Sequence, residues 1–258
     1  MPYSESDARA LVVEAGHQLL QKGLVARTWG NISARISEEE FIITPSGRSY
    51  ETLSPSDLVK VKISDLSYEG EMKPSSEKGV HAAAYALRPE IDFIIHTHQL
   101  YASAVCAEEK DTPFAPCAAY GLPGTEKLKK KVTDCIAAHP DKTMFLLAKH
   151  GTLCLGKSSE EAFSLASELE DRCRALYESR AMDQKKSRLR KAWVDDYAQI
   201  VGNGWKKPPE EDLEAVYMIR EKNSAAARYV RTAGPLSPFD TLMQRTVYLL
   251  KYSKQKNK

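Results

Sequence analysis

The sequence predicts an α/β fold in which helices interleave with one sheet, and three observations predict it. Segments with apolar residues at helical spacing alternate with short, β-rich apolar runs along most of the chain. Gly and Pro punctuate the intervals where strands are expected. The 258 residues are 42% hydrophobic and 28% charged, enough to bury a full core and too apolar for a disordered polypeptide.

Ser4, with Asp7 three residues on, resembles a capping box, and Ala10, Leu11, Ala15, Leu19 and Leu20 recur at helical spacing before Gly23. A first helix is expected there. From Asn31 to Ile63 the segments NISARI, FIIT and LVKVKI, separated by Pro45, Gly47 and Pro55, read as short strands joined by tight turns. Ser75 and Ser76 cap a helix that runs through Leu87 and breaks at Arg88-Pro89, and IDFII then reads as a buried strand. A helix follows from Gly124 to His139, then a buried strand MFLLA and, after the Gly151 turn, a short strand TLCLG. Beyond Ser158 a long amphipathic helix is expected, and the segment broken at Pro208-Pro209 and Gly234-Pro235 again reads as helices. The turn formers and charges of GNGWKKPPEED mark a boundary. Residues 1–204 are expected to form the main domain and 205–258 a helical extension packed on it, since Val216, Tyr217, Ile219, Tyr229, Val247, Leu249 and Leu250 are too apolar for a free tail.

Lys+Arg 37 against Asp+Glu 35 leaves a formal charge of +2, which offers no long-range attraction to nucleic acid or an anionic membrane. No apolar run approaches the ~20 residues of a membrane span, and MPYSESDARA has no basic and apolar leader pattern, so a cytoplasmic protein is expected. Cys106, Cys117, Cys135, Cys154 and Cys173 are odd in number and contain no CxxC pair, and are read as reduced thiols.

Chemistry concentrates at three places. The apolar run in IDFIIHTHQL ends in His96-Thr97-His98, and side chains two apart on a strand share a face, so both imidazoles can grip one cation. Zinc suits neutral imidazoles, and a catalytic site needs a third protein ligand with one position left open. His150, at the end of FLLAKHG and before Gly151, is the candidate. The same His-x-His also reads as a hydrogen-bonding pair at a strand end, while His17, His81 and His139 read as surface or core residues. At Pro74-Ser75-Ser76-Glu77 a helix start offers hydroxyls and free N–H groups to an anion, with Glu77 in the first turn as acid or base, although ordinary N-capping explains the same residues. The segments TWGNIS (28–33) and TPSG (44–47) have the composition that lets backbone N–H groups cradle phosphate, or simply of two tight turns.

Taken in order, GLVARTWGNIS, ITPSGRSYETLSPSDLV, PSSEKGVHAAAY, HTH and KHG resemble the class II aldolase/adducin family from about Ser4 to Tyr177, and within it most nearly the L-fuculose-1-phosphate aldolase branch. The resemblance implies a three-layer α/β/α sandwich around a mostly antiparallel central sheet, assembled as a homotetramer with active sites between subunits. It implies His96, His98 and His150 as ligands of Zn2+, with Co2+ or Mn2+ also suited to three imidazoles. Glu77 becomes the catalytic acid/base, and Thr28, Gly30, Asn31, Ser46, Gly47, Ser75 and Ser76 the phosphate-binding positions. The implied reaction is reversible cleavage of a short ketose 1-phosphate, a small phosphorylated sugar, to dihydroxyacetone phosphate and an aldehyde through a metal-stabilised enediolate. Lys149 should then face away from the metal, with no Schiff base required. Tyr120, Tyr217 and Tyr229 are open as donors to the leaving aldehyde oxygen, and Trp29 reads as a subunit contact or a lid.

Alternatives within the same scaffold are a sugar-phosphate decarboxylase, a methylthioribulose-phosphate dehydratase, a 4-epimerase or a non-catalytic adducin-like oligomerisation module. Glu rather than Asp after the two serines favours an aldolase over an epimerase, and the presence of all three histidines with the carboxylate argues against a binding-only role.

Overall fold

The computed structural model, which describes residues 2–25 and 29–180, opens with helix α1 (Glu5–Gln21). Ser4 caps it, its Oγ accepting the Asp7 N–H at 3.1 Å. Strands β1 (Asn31–Arg35), β2 (Glu40–Ile43) and β3 (Val59–Lys62) follow, then helix α2 (Lys78–Leu87) and strand β4 (Phe93–Thr97). Helix α3 (Leu100–Cys106), strand β5 (Cys117–Ala118), helix α4 (Glu126–Ala138), strands β6 (Met144–Leu147) and β7 (Gly151–Gly156) and helix α5 (Ser159–Arg180) complete the described chain. All seven strands and helices α1 to α4 fall within the compact unit Met1–Cys173. The boundary expected at 204 and the extension 205–258 lie outside the described residues.

The strands form one sheet in the order β3-β2-β1-β4-β7-β6-β5, antiparallel at every junction except β5 with β6. This is the mostly antiparallel sheet that the resemblance implied. Because side chains alternate across a strand, each strand feeds two cores. On one face Phe41, Ile43, Val59, Val61, Ile94, Phe145, Leu147, Leu153 and Leu155 pack with Val80, Ala84 and Tyr85 of α2 and Leu128, Val132 and Ile136 of α4. The alternate residues Ile32, Ala34, Ile42, Phe93, Ile95 and Leu146 are fully buried as well, and α1, with Ala8, Val12 and Leu19 buried, packs on β1 and β2 while α3 packs on β6 and β7. The result is helices on both faces of one sheet.

Three elements were not anticipated: a single 3-10 turn at Pro55–Asp57, helix α3 and strand β5. Helix α3 has seven residues of small, unpatterned character, and a tertiary contact caps it: Glu170 of α5 accepts the N–H groups of Tyr101 and Ala102 at 2.8 and 2.9 Å. Strand β5 is only two residues long. The five cysteines are free thiols. Among the described residues no helix is long and apolar enough to cross a membrane.

Candidate active site

The apolar run of β4 pairs β1 on one side and β7 on the other, so its end lies at the middle of the sheet. His96 is opposite Asn31 of β1 and Leu153 of β7, and points to the face covered by α2. His98 follows two residues later. His150 reaches the same place from the turn between β6 and β7, which closes when the His150 N–H donates to Leu147 O at 2.9 Å. Lys149 sits in that turn at φ +55, a left-handed conformation for a non-glycine residue, and its Nζ lies 3.4 Å from Glu109 Oε1. The lysine is committed to an ion pair, as its expected orientation away from the histidines requires. Gly151 permits the close approach, because a Cβ there would meet Thr97 O at 2.3 Å.

The three imidazoles form a nearly equilateral triangle, with ring centroids 4.9, 4.7 and 4.9 Å apart. Their nearest ligand atoms all lie within 4.8 Å of one another, and His96 and His150 are only 2% and 3% exposed. His96 Nδ1 lies 2.7 Å from Thr152 O. A carbonyl only accepts, so Nδ1 carries a hydrogen and Nε2 is the ring nitrogen turned toward the cluster. That Nε2 stands 3.0 Å from Nε2 of His98, near the ~3.3 Å expected for two nitrogens sharing a tetrahedral ion at about 2.0–2.1 Å. Buried imidazole nitrogens that converge in this way can, once deprotonated, hold a divalent cation.

Glu77 completes the cluster. Its Oε2 lies 3.1 Å from His96 Nε2 and its Oε1 3.1 Å from His150 Nε2. Burial pushes the carboxyl up, but the charges of His150 and His96 outweigh burial and hold it well below the usual carboxylate range. The sequence placed Glu77 in the first turn of the helix, whereas it occupies the N-cap position itself and makes no capping bond. Just before the helix Ser75 Oγ accepts the Glu77 N–H at 3.2 Å, which fixes the turn that leads into it. Glutamate is too long to fold back as a cap the way Ser or Asp does, so its carboxylate projects into the site.

The turns with phosphate-cradling composition gather beside this cluster. Ser46 N–H donates to Lys73 O and Ser75 N–H to Thr44 O, at 2.9 and 3.0 Å, which stitches the 44–47 turn to the entry of α2. Ser46, Gly47 and Ser76 are exposed there, and Gly47 adopts φ +76. Ser75 is buried. Asn31 is 4% exposed and donates Nδ2–H to Glu77 Oε2 at 3.0 Å. Thr28 lies outside the described residues, as do Tyr217 and Tyr229. Trp29 packs on His98, ring centroids 5.8 Å apart, a contact that sequence reasoning did not anticipate. Gly30 has φ +82, and a Cβ there would meet His96 O at 2.3 Å. Gly30→Ala is therefore expected to cost about 2–4 kcal/mol of unfolding free energy, the left-handed strain and the clash adding together, as read by urea denaturation.

Residues 10–177 match the family described as Class II Aldolase and Adducin N-terminal domain. The chain is 30% identical over 190 residues to a 5-deoxy-D-ribulose 1-phosphate aldolase of Bacillus thuringiensis serovar kurstaki, covering 69% of this chain and 88% of that protein. It is 30% identical over 213 residues to a 3-oxo-tetronate 4-phosphate decarboxylase of Pectobacterium atrosepticum, covering 76% and 94%. The crystal structure of an L-fuculose-1-phosphate aldolase from Thermus thermophilus superposes with a TM-score of 0.57 at 26% identity, over 68% of this chain and 95% of that one. Two of these relatives are named as aldolases and one as a decarboxylase, each of a phosphorylated substrate. The match over 10–177, on the seven-stranded sheet just described, makes the chain a member of the class II aldolase/adducin family.

Proposed function

We propose that the chain is a divalent-metal-dependent aldolase that reversibly cleaves a short ketose 1-phosphate, of the L-fuculose 1-phosphate kind, to dihydroxyacetone phosphate and an aldehyde. The observation that carries this assignment is the buried convergence of His96, His98 and His150 with the Glu77 carboxylate. In this proposal the three histidines hold Zn2+, or Co2+ or Mn2+, and leave a position open for substrate. The ion supplies a Lewis acid beside the substrate carbonyl.

Glu77 moves the proton. In the condensation direction its carboxylate takes one hydrogen from the hydroxymethyl carbon of dihydroxyacetone phosphate, the new C–C bond forms to the aldehyde carbon, and the aldehyde oxygen gains a proton. In cleavage the same bond breaks, the aldehyde oxygen loses its proton, and Glu77 returns a hydrogen to carbon. Asn31, Ser46, Gly47, Ser75 and Ser76, with Thr28 and Gly30 shaping the first loop, are assigned to the phosphate, at turns that meet the N-terminus of α2.

The similarity to a 5-deoxy-D-ribulose 1-phosphate aldolase supports a ketose 1-phosphate as substrate. The equal identity to a 3-oxo-tetronate 4-phosphate decarboxylase favours a second reading, loss of CO2 from a phosphorylated 3-oxo acid. Purified protein incubated with dihydroxyacetone phosphate and a panel of small aldehydes decides between them. Chelator-sensitive formation of a ketose 1-phosphate is the expected result, and CO2 release from the oxo acid with no condensation would replace the aldolase by the decarboxylase.

The proposal includes a cytoplasmic homotetramer with sites between subunits, and a catalytic domain 1–204 with an extension 205–258. Light-scattering mass and turnover of a chain ending at Gly204 test these parts. A monomer would remove the tetramer, and a truncated chain that neither folds nor turns over would remove the division at 204.

A further inference from the structure

A row of buried side chains leads away from Glu77, and its members His81, Ser33 and Tyr85 have no role in the chemistry above. Helix α2 and its N-cap present Glu77, His81 and Tyr85 on successive turns, while β1 presents Asn31 and Ser33 on the facing side of the sheet. The five interleave as Glu77, Asn31, His81, Ser33, Tyr85, and none is more than 9% exposed. Asn31 Nδ2 is 3.0 Å from Glu77 Oε2, and Asn31 Oδ1 contacts His81 Nε2. His81 Nδ1 is 2.6 Å from Ser33 Oγ, which is 2.8 Å from the Tyr85 hydroxyl.

The hydrogens in this row have one consistent arrangement. A carboxylate has none to give, so Asn31 must turn its NH2 to Glu77 and its carbonyl to His81. The carbonyl accepts, so His81 Nε2 carries the ring hydrogen. Burial foremost, then the nearby His96, pushes the imidazole down to about 3, so it is neutral and Nδ1 is an acceptor. Ser33 therefore donates to Nδ1, and Tyr85 donates to Ser33. With the hydrogen on Nδ1 instead, the Asn31 amide would have to flip, and its carbonyl would face the carboxylate with no hydrogen between them.

We propose that His81 is a positioning residue: by donating Nε2–H to Asn31 Oδ1 it locks the amide so that Nδ2–H holds Glu77 Oε2 and aims the carboxylate. The proposal rests on the aldolase reading only in giving Glu77 a proton to move. The orientation itself is a property of the folded chain, and one hydrogen of the Asn31 amide stays available to a substrate.

Long-range 1H–15N correlation on full-length, histidine-labelled protein at neutral pH reads the tautomer directly, with His81→Gln identifying the signal. The Nε2–H form is expected, and the Nδ1–H form would overturn the proposal. Kinetics supply the second arm. His81→Asn keeps a polar group near Ser33 but no donor at the Nε2 position, and is expected to lower kcat about 10–100-fold with KM and metal content little changed. His81→Gln restores an N–H at that position and should recover most of kcat. Equal kcat in the Asn and Gln variants would overturn the positioning role. A wild-type protein without aldolase turnover would sink the functional reading instead, while the tautomer would still decide this one.

Discussion

Replacing His96 with Ala, or treating the protein with a chelator, is expected to remove bound metal and turnover together. His96 is the member of the triangle with the most determined orientation, its Nδ1–H held by Thr152 O and its Nε2 directed at both His98 and Glu77. Losing it leaves two imidazoles, too few to hold a divalent ion in a three-ligand site. Metal content by elemental analysis should fall from about one ion per chain to near none, and condensation with dihydroxyacetone phosphate should become undetectable. The metal also binds only the folded chain, so its removal should lower the melting temperature. At 100-fold saturation the linkage is about 2.7 kcal/mol, or roughly 5–10 °C for a domain of this size. A chelated protein that keeps full turnover would refute the metal assignment.

Glu77→Gln is the second large effect, and it separates chemistry from binding. The amide is nearly isosteric with the carboxylate but can neither take nor return the proton on carbon, so kcat should fall about 10²–10⁴-fold. The three imidazoles are untouched, so metal content should persist. Exchange of the hydroxymethyl hydrogen of dihydroxyacetone phosphate with D2O, followed by NMR without any aldehyde, isolates the step. Exchange as fast in the variant as in the parent chain would transfer the role to another group. The variant keeps a carbonyl oxygen that can accept from Asn31 Nδ2, which is why it complements the His81 pair: one changes the group that moves the proton, the other only its orientation.

Much of this site was legible in the chain. His96-Thr97-His98 after IDFII declared two imidazoles on one face, and Gly151 after His150 declared a turn. The relation of His150 to the pair was only conditional, because it depends on β7 pairing β4 while β6 pairs β7, a matter of non-local register. Glu77 was read one position too deep in α2, since Ser75 and Ser76 both have the chemistry of caps and only the folded loop shows that the helix starts after Glu77. His81 was read as an ordinary surface or core residue. Its spacing from Glu77 and Tyr85 was visible, but its meaning lies in Asn31 and Ser33, some 50 residues away along the chain.

By itself the sequence determined the alternation of helices and strands, the apolar faces and the identity of the candidate ligands, because periods of 2 and 3.6 follow from local backbone geometry. Only the tertiary structure decided the strand order, the capping of α3 by Glu170, the turn at Lys149 and the direction of hydrogens along the row that ends at Glu77. Each of these is set by contacts between distant segments. Register and the satisfaction of buried polar groups are optimised across the whole sheet, and no local pattern encodes that sum.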